Sequence, residues 1–417
     1  MIKKIFFKTI LCLSLFLMIY TPADSCTSAI FTGKVNKDGK PLMWKHRDTK
    51  EENNRIEYFK GPKYSFYALV NSPLVIKKKS KMRSFEAWNG TNEVGFSIMN
   101  TASYNLKDDN IPNLKTDNEG VIMYKALGRC KNLSDFEKLL DTLKRPMGVE
   151  SNFGVIDNEG GAAYYEVNNT SWTKIDVNDP KIAPQGYLVY TNHSYTGRKD
   201  EGMGYIRYTT ADITIKKRIE RGGKITPRWI FDNLSRSFYH SLLDIDLKKE
   251  AVKNNGLDWF IDQDFIPRKS STSSVVFHGS KNPIMWVVLG YPPTAVAVPL
   301  SVRSGAEGIP SFMKSTIKVP DNVKDGFDKR DSRLNAPICN LSLKVKQDVF
   351  PIKRGNGGKY LNFSLLWNIE NTGWIQRIES VEDYIFSEAE KVDWNKKGDT
   401  HAEYYSAIWE KIKKLYE

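Results

Sequence analysis

The chain has 417 residues and a formal net charge of +13 at pH 7. A basic surplus can indicate a nucleic-acid or anionic partner, but the basic residues are scattered in short clusters such as Lys77-Lys78-Lys79, and no nucleic-acid-binding motif is present. We therefore expect a solvated basic surface and no nucleic-acid partner. No internal repeat or low-complexity linker divides the chain.

The first 25 residues predict a secretory signal peptide. A lysine-containing start precedes an apolar run from Thr9 to Tyr20, and Ala23-Asp24-Ser25 provides small residues before a cleavage site. The run is too short for a spanning helix, which needs about 20 apolar residues, so no stable membrane insertion is expected. A lipoprotein signal usually has an aliphatic residue three positions before the cysteine and a small residue two positions before it, whereas this chain has Ala23 and Asp24 there. We predict a secreted or periplasmic protein, rather than a lipoprotein, whose mature chain begins at Cys26.

The next part of the chain is rich in predicted strands. The Asp38-Gly39 step is typical of a hairpin turn between the first two strands, and residues 157–161 form a similar turn between the last two. Two helices are expected between them, and Ser134 with Glu137 predicts a capping box at the start of the second. The strands are predicted at Thr27–Gly33, Pro41–Lys45, Tyr64–Asn71, Ser84–Trp88, Val94–Asn100, Asn152–Ile156 and Ala162–Val167.

The second half alternates helices with apolar strands. Thr226-Pro227 predicts the start of a helix that runs to about Phe238, because proline at the first turn loses no hydrogen bond. The tail is predicted helical from Glu379, and Ala402–Tyr416 is amphipathic. Strands in two groups with helices outside favour an α+β fold in which sheets pack on each other beneath helices. The strands of this half are predicted at Tyr187–Thr191, Ser274–His278, Met285–Leu289 and Thr294–Pro299.

Cysteine usage points to one thiol with a chemical role. Loss of the leader would remove Cys12 and leave Cys26, Cys130 and Cys339. In an oxidising compartment an odd count leaves at least one thiol unpaired. A chemical role for Cys26 requires that its thiol be free. Cys130 and Cys339 would then be either paired or both buried, and the sequence leaves these two alternatives open. It has no CxxC, HExxH or close His/Asp cluster, so we expect no metal.

A cysteine at the start of a mature chain combines a nucleophile with a base. The free α-amine has an ordinary pKa of about 7.7–8.0 and lies within reach of the thiol of the same residue. Such a pair needs no separate histidine. Judged on its position alone, however, Cys26 is better interpreted as a buried or disulfide-bonded cysteine that happens to follow the leader.

Short motifs after Cys26 occur in the order found in a known family. Cys26-Thr27-Ser28-Ala29-Ile30-Phe31 is followed by Pro41-Leu42-Met43-Trp44-Lys45-His46-Arg47-Asp48, and further motifs lie at 92–100, 191–193, 207–211 and 273–277. Together they resemble N-terminal-nucleophile (Ntn) hydrolases that cut linear amides. The branch is the one with choloylglycine hydrolases, penicillin V acylases, acid ceramidase and the isopenicillin-N acyltransferase/carcinine hydrolase group, the last being most similar by eye.

The resemblance implies an architecture and a set of site residues. The expected fold is a four-layer αββα sandwich, with a catalytic domain at 26–335 and a helical C-terminal extension at 336–417 packing on the same domain. Cys26 would be the nucleophile, Asp48 would hydrogen-bond its α-amine, and Arg207 would lie beside it. Asn100, through its backbone N–H, and Asn192, through its side chain, would form the oxyanion hole.

The roles of other candidates stay open. Lys45 stands where bile-salt hydrolases have arginine, and it could hold the thiolate by its charge or be a surface lysine. Arg47 is a second cationic candidate. His46 and His193 sit beside matched positions and are expected to line the site, while His278 is expected to be structural.

The resemblance predicts amide hydrolysis through an acyl-thioester, without a cofactor or a metal. The expected partner is a small-molecule amide, and a homo-oligomer stays open. Two alternatives remain: an acyltransferase of the isopenicillin-N type, or a non-catalytic surface or carbohydrate-binding module. Aromatic residues support the second alternative, since they make up 12% of the chain and include Trp88, Trp172, Trp229, Trp259 and Trp286. Nothing in the sequence selects one amide over another.

Overall fold

A computed structural model of the protein describes residues 25–72, 85–107, 111, 118–317, 332–351, 360–396 and 401–417. Residues 1–24 of the predicted leader, with Cys12, and the Lys77-Lys78-Lys79 cluster lie outside these residues. None of the helices within the described ranges is long and apolar enough to cross a membrane.

Two antiparallel sheets form the centre of the protein. The six-stranded sheet has the order β10-β1-β2-β14-β15-β16, with β1 Ser25–Phe31, β2 Leu42–Asp48, β10 Tyr187–Tyr190, β14 Ser271–His278, β15 Ile284–Leu289 and β16 Ala297–Ser301. The seven-stranded sheet follows chain order, with β3 Asn54–Lys60, β4 Ser65–Asn71, β5 Asn89–Asn92, β6 Ser97–Ala102, β7 Ser151–Ile156, β8 Ala162–Val167 and β9 Trp172–Asp176. There are also two small antiparallel pairs: β11 Tyr239–His240 with β12 Ile245–Asp246, and β13 Trp259–Ile261 with β17 Tyr360–Asn362.

The main core lies between the two large sheets. Side chains alternate along a strand, so Ile30 of β1 and Met43 of β2 point toward the other sheet and pack in one cluster with Met99 and Tyr164. Ala29 and Trp44 point to the opposite face of the six-stranded sheet and join a separate cluster. This alternation decides which face of the sheet each candidate site residue occupies.

Helices cover the outer faces of the sheets. Helices α1 Glu119–Leu127 and α2 Leu133–Thr142 pack on the seven-stranded sheet. Helices α3 Tyr205–Glu220 and α4 Pro227–Ile230, with the π-helix Phe231–Ser235, pack on the six-stranded sheet. The remaining helices are α5 Leu247–Lys253, α6 Pro337–Val349, α7 Trp374–Ala389 and α8 Ala402–Tyr416.

The last two helices are joined to the six-stranded sheet by packing and by a buried charge. Ile378 and Ile412 belong to the same cluster as Val298 of β16. Glu382 of α7 accepts hydrogen bonds from Arg236, at 2.6 and 2.9 Å, and from the backbone N–H of Ala297 at 2.7 Å. Both charged side chains are fully buried, so removing either would leave the other with only its more distant partner, Arg228 for Glu382 at 3.3 Å and Asp232 for Arg236 at 3.5 Å.

Most predicted strands are confirmed within a few residues, but two are displaced. The predicted strand at Ser84–Trp88 is wrong for the described residues 85–88, since the strand in this region is Asn89–Asn92. Asparagine and glycine are poor strand formers, yet Gly90 allows β4 to approach closely, because a Cβ there would overlap Tyr67 O. The predicted strand at Thr294–Pro299 begins later, at Ala297, after a 3₁₀ turn at Pro292–Thr294.

Helix ends also differ from the prediction. Helix α2 is capped by Asn132, whose side chain accepts a hydrogen bond from Asp135 N, so the predicted capping box at Ser134 is wrong by two positions. Thr226 caps α4 as predicted, but the helical segment ends at Ser235 instead of Phe238. In the tail, α7 already begins at Trp374, and α8 has the predicted bounds.

Candidate active site

Cys26 lies near the beginning of β1, at a point where one side of the strand is open. Strand β10 pairs with β1 only from Ser28 onward. At Cys26 two side chains take the place of the neighbouring strand: the backbone N–H of Cys26 donates to Asn192 Oδ1 at 3.0 Å, and its C=O accepts from Arg207 Nη1 at 2.7 Å. The backbone of the candidate nucleophile is therefore held by side chains that come from a loop and a helix.

Arg207 is the centre of this arrangement. It is 1% exposed, and besides Cys26 O it binds Thr27 Oγ1 at 2.7 Å and Asn192 Oδ1 at 2.9 Å. Burial, reinforced by the charge of Arg268 and opposed by that of Asp48, lowers the pKa of Arg207 to about 9. The guanidinium therefore stays charged at neutral pH. Although it lies on a helix, Arg207 is buried and does not face solvent.

The second candidate asparagine joins the two sheets beside Cys26. Asn192 follows β10, and its Nδ2 donates to Ala102 O of β6 at 2.9 Å, while its Oδ1 accepts from Cys26 N. Asn100 lies two residues earlier on the same strand β6. Asn192 thus links the backbone of Cys26 to β6, the strand that carries Asn100.

Lys45 is a buried partner of Asn100. Its exposed fraction is 1%, and its Nζ donates to Asn100 Oδ1 at 2.8 Å and to Trp88 O at 2.9 Å. Asn100 Nδ2 in turn donates to Ser151 Oγ at 3.3 Å. The surface-lysine interpretation of Lys45 is wrong, because its position on β2 directs it between the sheets, on the same face as Met43.

Arg47 lies directly opposite Cys26 in the β1–β2 pairing. Because the N–H and C=O of Cys26 both point away from β2, this is a non-hydrogen-bonded pair, the kind in which opposite side chains are closest. Arg47 is 3% exposed, donates to Asn54 Oδ1 at 2.9 Å and lies 5.0 Å from the Trp88 ring centre. Two buried cations, Lys45 and Arg47, therefore share the face of the sheet on which the Cys26 side chain lies.

Asp48 lies on the other face of the sheet, opposite Ser25, the residue before Cys26. Its carboxylate accepts two hydrogen bonds from Arg268, at 2.7 and 3.0 Å, and one from Ser271 Oγ at 2.6 Å. In this chain, which still carries the residues before Cys26, the Cys26 nitrogen donates to Asn192. The predicted contact between Asp48 and the α-amine stays a prediction.

The histidines lie around the site or away from it. Burial lowers the pKa of His46 to about 4, so this ring is neutral at neutral pH, and its Nε2 lies 2.8 Å from Ser271 Oγ. His193 stacks on Tyr205 with ring centres 4.6 Å apart, and burial also lowers its pKa. His278 lies at the far end of β14 from Ser271, about 23 Å away at the usual rise per strand residue.

The remaining thiols are buried and unpaired. Cys130 and Cys339 are free, so the paired alternative is excluded and the both-buried alternative is confirmed. Burial raises the pKa of each thiol to about 12, which keeps both protonated and poorly reactive at neutral pH. Within the described part of the chain, no three His, Cys, Asp or Glu side chains gather as metal ligands.

Several residues that contact the candidates were not predicted for the site, among them Trp88, Asn54, Arg268 and Ser271. In the sequence, Trp88 was noted only as one of the aromatic residues that could support a binding module. In the structure, its ring lies beside Arg47 and its backbone carbonyl binds Lys45. Arg268 lies just before β14 and Ser271 is the first residue of that strand, and the pairing of β14 with β2 brings both to Asp48. Their separation in sequence from Asp48, over 200 residues, gives no local signal.

No protein-family model matches the chain, and no curated protein matches it. Among solved structures, it is similar to the Caenorhabditis elegans ortholog of N-acylethanolamine-hydrolyzing acid amidase, with 17% identity and a TM-score of 0.38, covering 60% of this chain and 92% of that one. A variant of conjugated bile acid hydrolase from Clostridium perfringens has 12% identity and a TM-score of 0.38 over 66% of this chain and 92% of that one.

Penicillin V acylase from Agrobacterium tumefaciens has 11% identity and a TM-score of 0.33 over 66% of this chain and 86% of that one. These neighbours are the kinds of amide hydrolase that the sequence resembles. At such identities and TM-scores no residue role is transferred from them, and the chemistry is argued from the contacts around Cys26.

Proposed function

We propose that the protein is a secreted N-terminal-cysteine amidohydrolase, which cleaves a small linear amide C–N bond through an acyl-thioester on Cys26. The proposal rests on two hydrogen bonds to the Cys26 backbone: Cys26 N donates to Asn192 Oδ1 at 3.0 Å, and Arg207 Nη1 donates to Cys26 O at 2.7 Å. These contacts do not involve the residues before Cys26, so they would persist after the leader is removed. The nitrogen that would become the α-amine already lies at a hydrogen-bond acceptor.

The mature N-terminus would supply the base. A neutral amine has two N–H donors and one lone pair; one donor would bind Asn192 Oδ1, the other would face Asp48, and the lone pair would accept the thiol proton. Lys45 and Arg47, on the face of the Cys26 side chain, would favour the thiolate by their charge. The geometry thus supports an arrangement that needs no histidine.

The remaining steps follow the usual course of acyl transfer. The thiolate attacks the substrate carbonyl, and the oxyanion accepts hydrogen bonds from the Asn100 backbone N–H and the Asn192 side chain, donors that typically stabilise such a transition state by about 3–4 kcal/mol each. The amine leaves with the proton held by the α-amine. Water then cleaves the thioester and releases the acid. Lys45, through its bond to Asn100, and Arg207, through its bond to Asn192, would keep both asparagines in place.

The proposal includes a finer account of the fold and of the chain's processing. The helices on both outer faces support a four-layer αββα sandwich for residues 26–335. The contact of Glu382 with Arg236 and Ala297 supports residues 336–417 as a helical extension that packs on the same domain. The leader would direct the chain to a secreted or periplasmic location, with a small-molecule amide as substrate.

The proposal is tested with the purified mature protein against a panel of N-acyl amides, with released amine as the readout. We expect Cys26→Ala to lose at least about 10³-fold in rate, since removal of a nucleophile costs that much or more. Cys130→Ala, which removes a buried thiol, is the matched control and should keep the wild-type rate. Adding a second amine and measuring its acylated product separates hydrolysis from acyl transfer. A Cys26→Ala variant that still released amine at the wild-type rate would refute the proposal.

A further inference from the structure

A short turn at the start of β14 binds Asp48 through three hydrogen bonds. The turn 268–271 is closed by a hydrogen bond from Ser271 N to Arg268 O at 2.7 Å and by one from Arg268 N to Ser271 Oγ at 3.0 Å. A register shift between Ser271 and Ser273 follows it in the pairing of β14 with β2. This irregularity turns Ser271 toward Asp48, as bulges commonly re-aim a side chain.

The hydroxyl of Ser271 is fully used in this arrangement. The Asp48 carboxylate can only accept, so Ser271 Oγ donates its single proton to Asp48 Oδ1, at 2.6 Å. Its lone pairs then accept from Arg268 N and from His46 Nε2, at 3.0 and 2.8 Å. His46 is therefore the tautomer with a proton on Nε2. The result is a buried chain of donors that ends on one carboxylate.

Arg268 supplies the compensating charge. Its Nε and Nη2 both donate to Asp48 Oδ2, at 3.0 and 2.7 Å, and the Asp48 side chain is completely buried. A carboxylate has about four lone-pair positions, and Arg268 and Ser271 use three of them. One position remains for the α-amine of Cys26, which would lie next to Asp48, where Ser25 pairs with it in the sheet.

The charges around the future α-amine come from several elements. On the Asp48 side, Arg268 offsets the charge of Asp48, and Arg207, which already binds Cys26 O, adds a further cation beside the future α-amine. A protonated amine would lie beside this cation without a free carboxylate to balance it. The charged and titratable groups near the site are Lys45, His46, Arg47 and Asp48 on β2, Arg207 on α3, His193 after β10, Asp262, Asp264 and Arg268 before β14, and Lys346 on α6, which contacts Ser271 O.

We propose that the turn 268–271 is a positioning element of the site: it fixes and neutralises Asp48, so that the α-amine of Cys26 stays unprotonated and acts as the base at neutral pH. This inference rests on the proposed function. Arg268 acts through Asp48 and does not touch the reacting atoms. Loss of its charge would leave Asp48 free to stabilise an ammonium ion, and an opposite charge within about 4–6 Å raises the pKa of an amine by about 1–3 units.

The test is a ¹⁵N NMR titration of the mature protein labelled with ¹⁵N-cysteine, in which the N-terminal amine is distinct from the two amide nitrogens of Cys130 and Cys339. For Arg268→Gln we expect the amine pKa to rise by about 1 unit or more over wild type. Arg268→Lys keeps the positive charge, so the amine pKa of this variant should stay within about 0.3 units of the wild-type value. Arg303→Gln, which removes a partly buried arginine that binds Asn282, is the matched control and should not shift it.

The outcomes separate the two proposals. An unshifted amine pKa in folded Arg268→Gln, or an equal shift in Arg268→Lys, would overturn the inference and leave the proposed function standing. A mature protein whose Cys26 nitrogen is a peptide amide would overturn both. If Arg268→Gln does not fold, Ser271→Ala gives the second measurement: it removes one donor from Asp48 and should raise the amine pKa by a smaller step, and the absence of any shift would count against the inference.

Discussion

Replacing Arg207 with lysine tests the arrangement around Cys26 without removing a charge. The arginine makes three hydrogen bonds of 2.9 Å or shorter, from Nη1 to Cys26 O and Thr27 Oγ1 and from Nη2 to Asn192 Oδ1. Two different nitrogens of a planar fork are needed to reach these acceptors. A lysine has a single ammonium group and cannot span them.

The size of the effect follows from the bonds that are lost. Hydrogen bonds to a charged group contribute about 1.5–3 kcal/mol each, so the loss of one or two should lower the free energy of unfolding by about 2–4 kcal/mol. Asn192 and Cys26 O would also lose their common partner. Since about 1.4 kcal/mol corresponds to a tenfold change, we expect the labelling rate of Cys26 by a thiol-directed amide-hydrolase probe to fall at least about tenfold.

Urea unfolding and the rate of probe labelling measure the two effects separately. Arg236→Lys is the matched control, because Arg236 is equally buried and binds Glu382 through both terminal nitrogens at 2.6 and 2.9 Å. It should lose stability to a similar extent while the native protein keeps the wild-type labelling rate of Cys26. An Arg207→Lys variant that labels within about twofold of wild type would refute this account of the site.

Three further predictions concern buried groups. Lys45→Met should lower the free energy of unfolding by about 1–3 kcal/mol in urea titrations, because Asn100 Oδ1 loses its donor in a buried site; an unchanged midpoint would contradict the buried bond. His46 has its pKa lowered to about 4, so the unfolded chain binds the extra proton, and stability should fall by about 3 kcal/mol as the pH drops from about 6.5 to about 4. His46→Gln should flatten this part of the pH profile, and an unaltered slope would speak against the shift. Glu382→Gln should cost about 3–5 kcal/mol, because the buried Arg236 loses its shortest ion pair and keeps only Asp232 at 3.5 Å, while Cys26 labelling of the folded protein stays unchanged; slower labelling would instead connect this pair to the site.

Local patterns predicted much of the fold. The helix that starts after Thr226 was recognised because its cap is a local hydrogen bond, from Trp229 N to the Thr226 side chain. The strands Asn152–Ile156 and Ala162–Val167 were recognised because one turn joins them. The strand at Asn89–Asn92 was missed because its pairing with β4 overrides the low strand propensity of its residues.

The site was predictable only where residues lie near each other in sequence or match a motif. The structure brings Cys26, Asn192 and Arg207 into direct contact and places Asn100 on the strand to which Asn192 is bonded. The burial of Lys45 could not be predicted, because its partners Asn100 and Trp88 O come from another sheet. Likewise, the turn that binds Asp48 lies at the start of β14, which the sheet order places beside β2.

The measurement that tests the central claim most directly is the intact mass of the secreted protein before and after reaction with the probe. We predict a chain that begins at Cys26, with one probe molecule on its first residue and none on a Cys26→Ala variant. A chain that begins elsewhere, that carries lipid on Cys26, or that takes up the probe equally in Cys26→Ala would contradict the account.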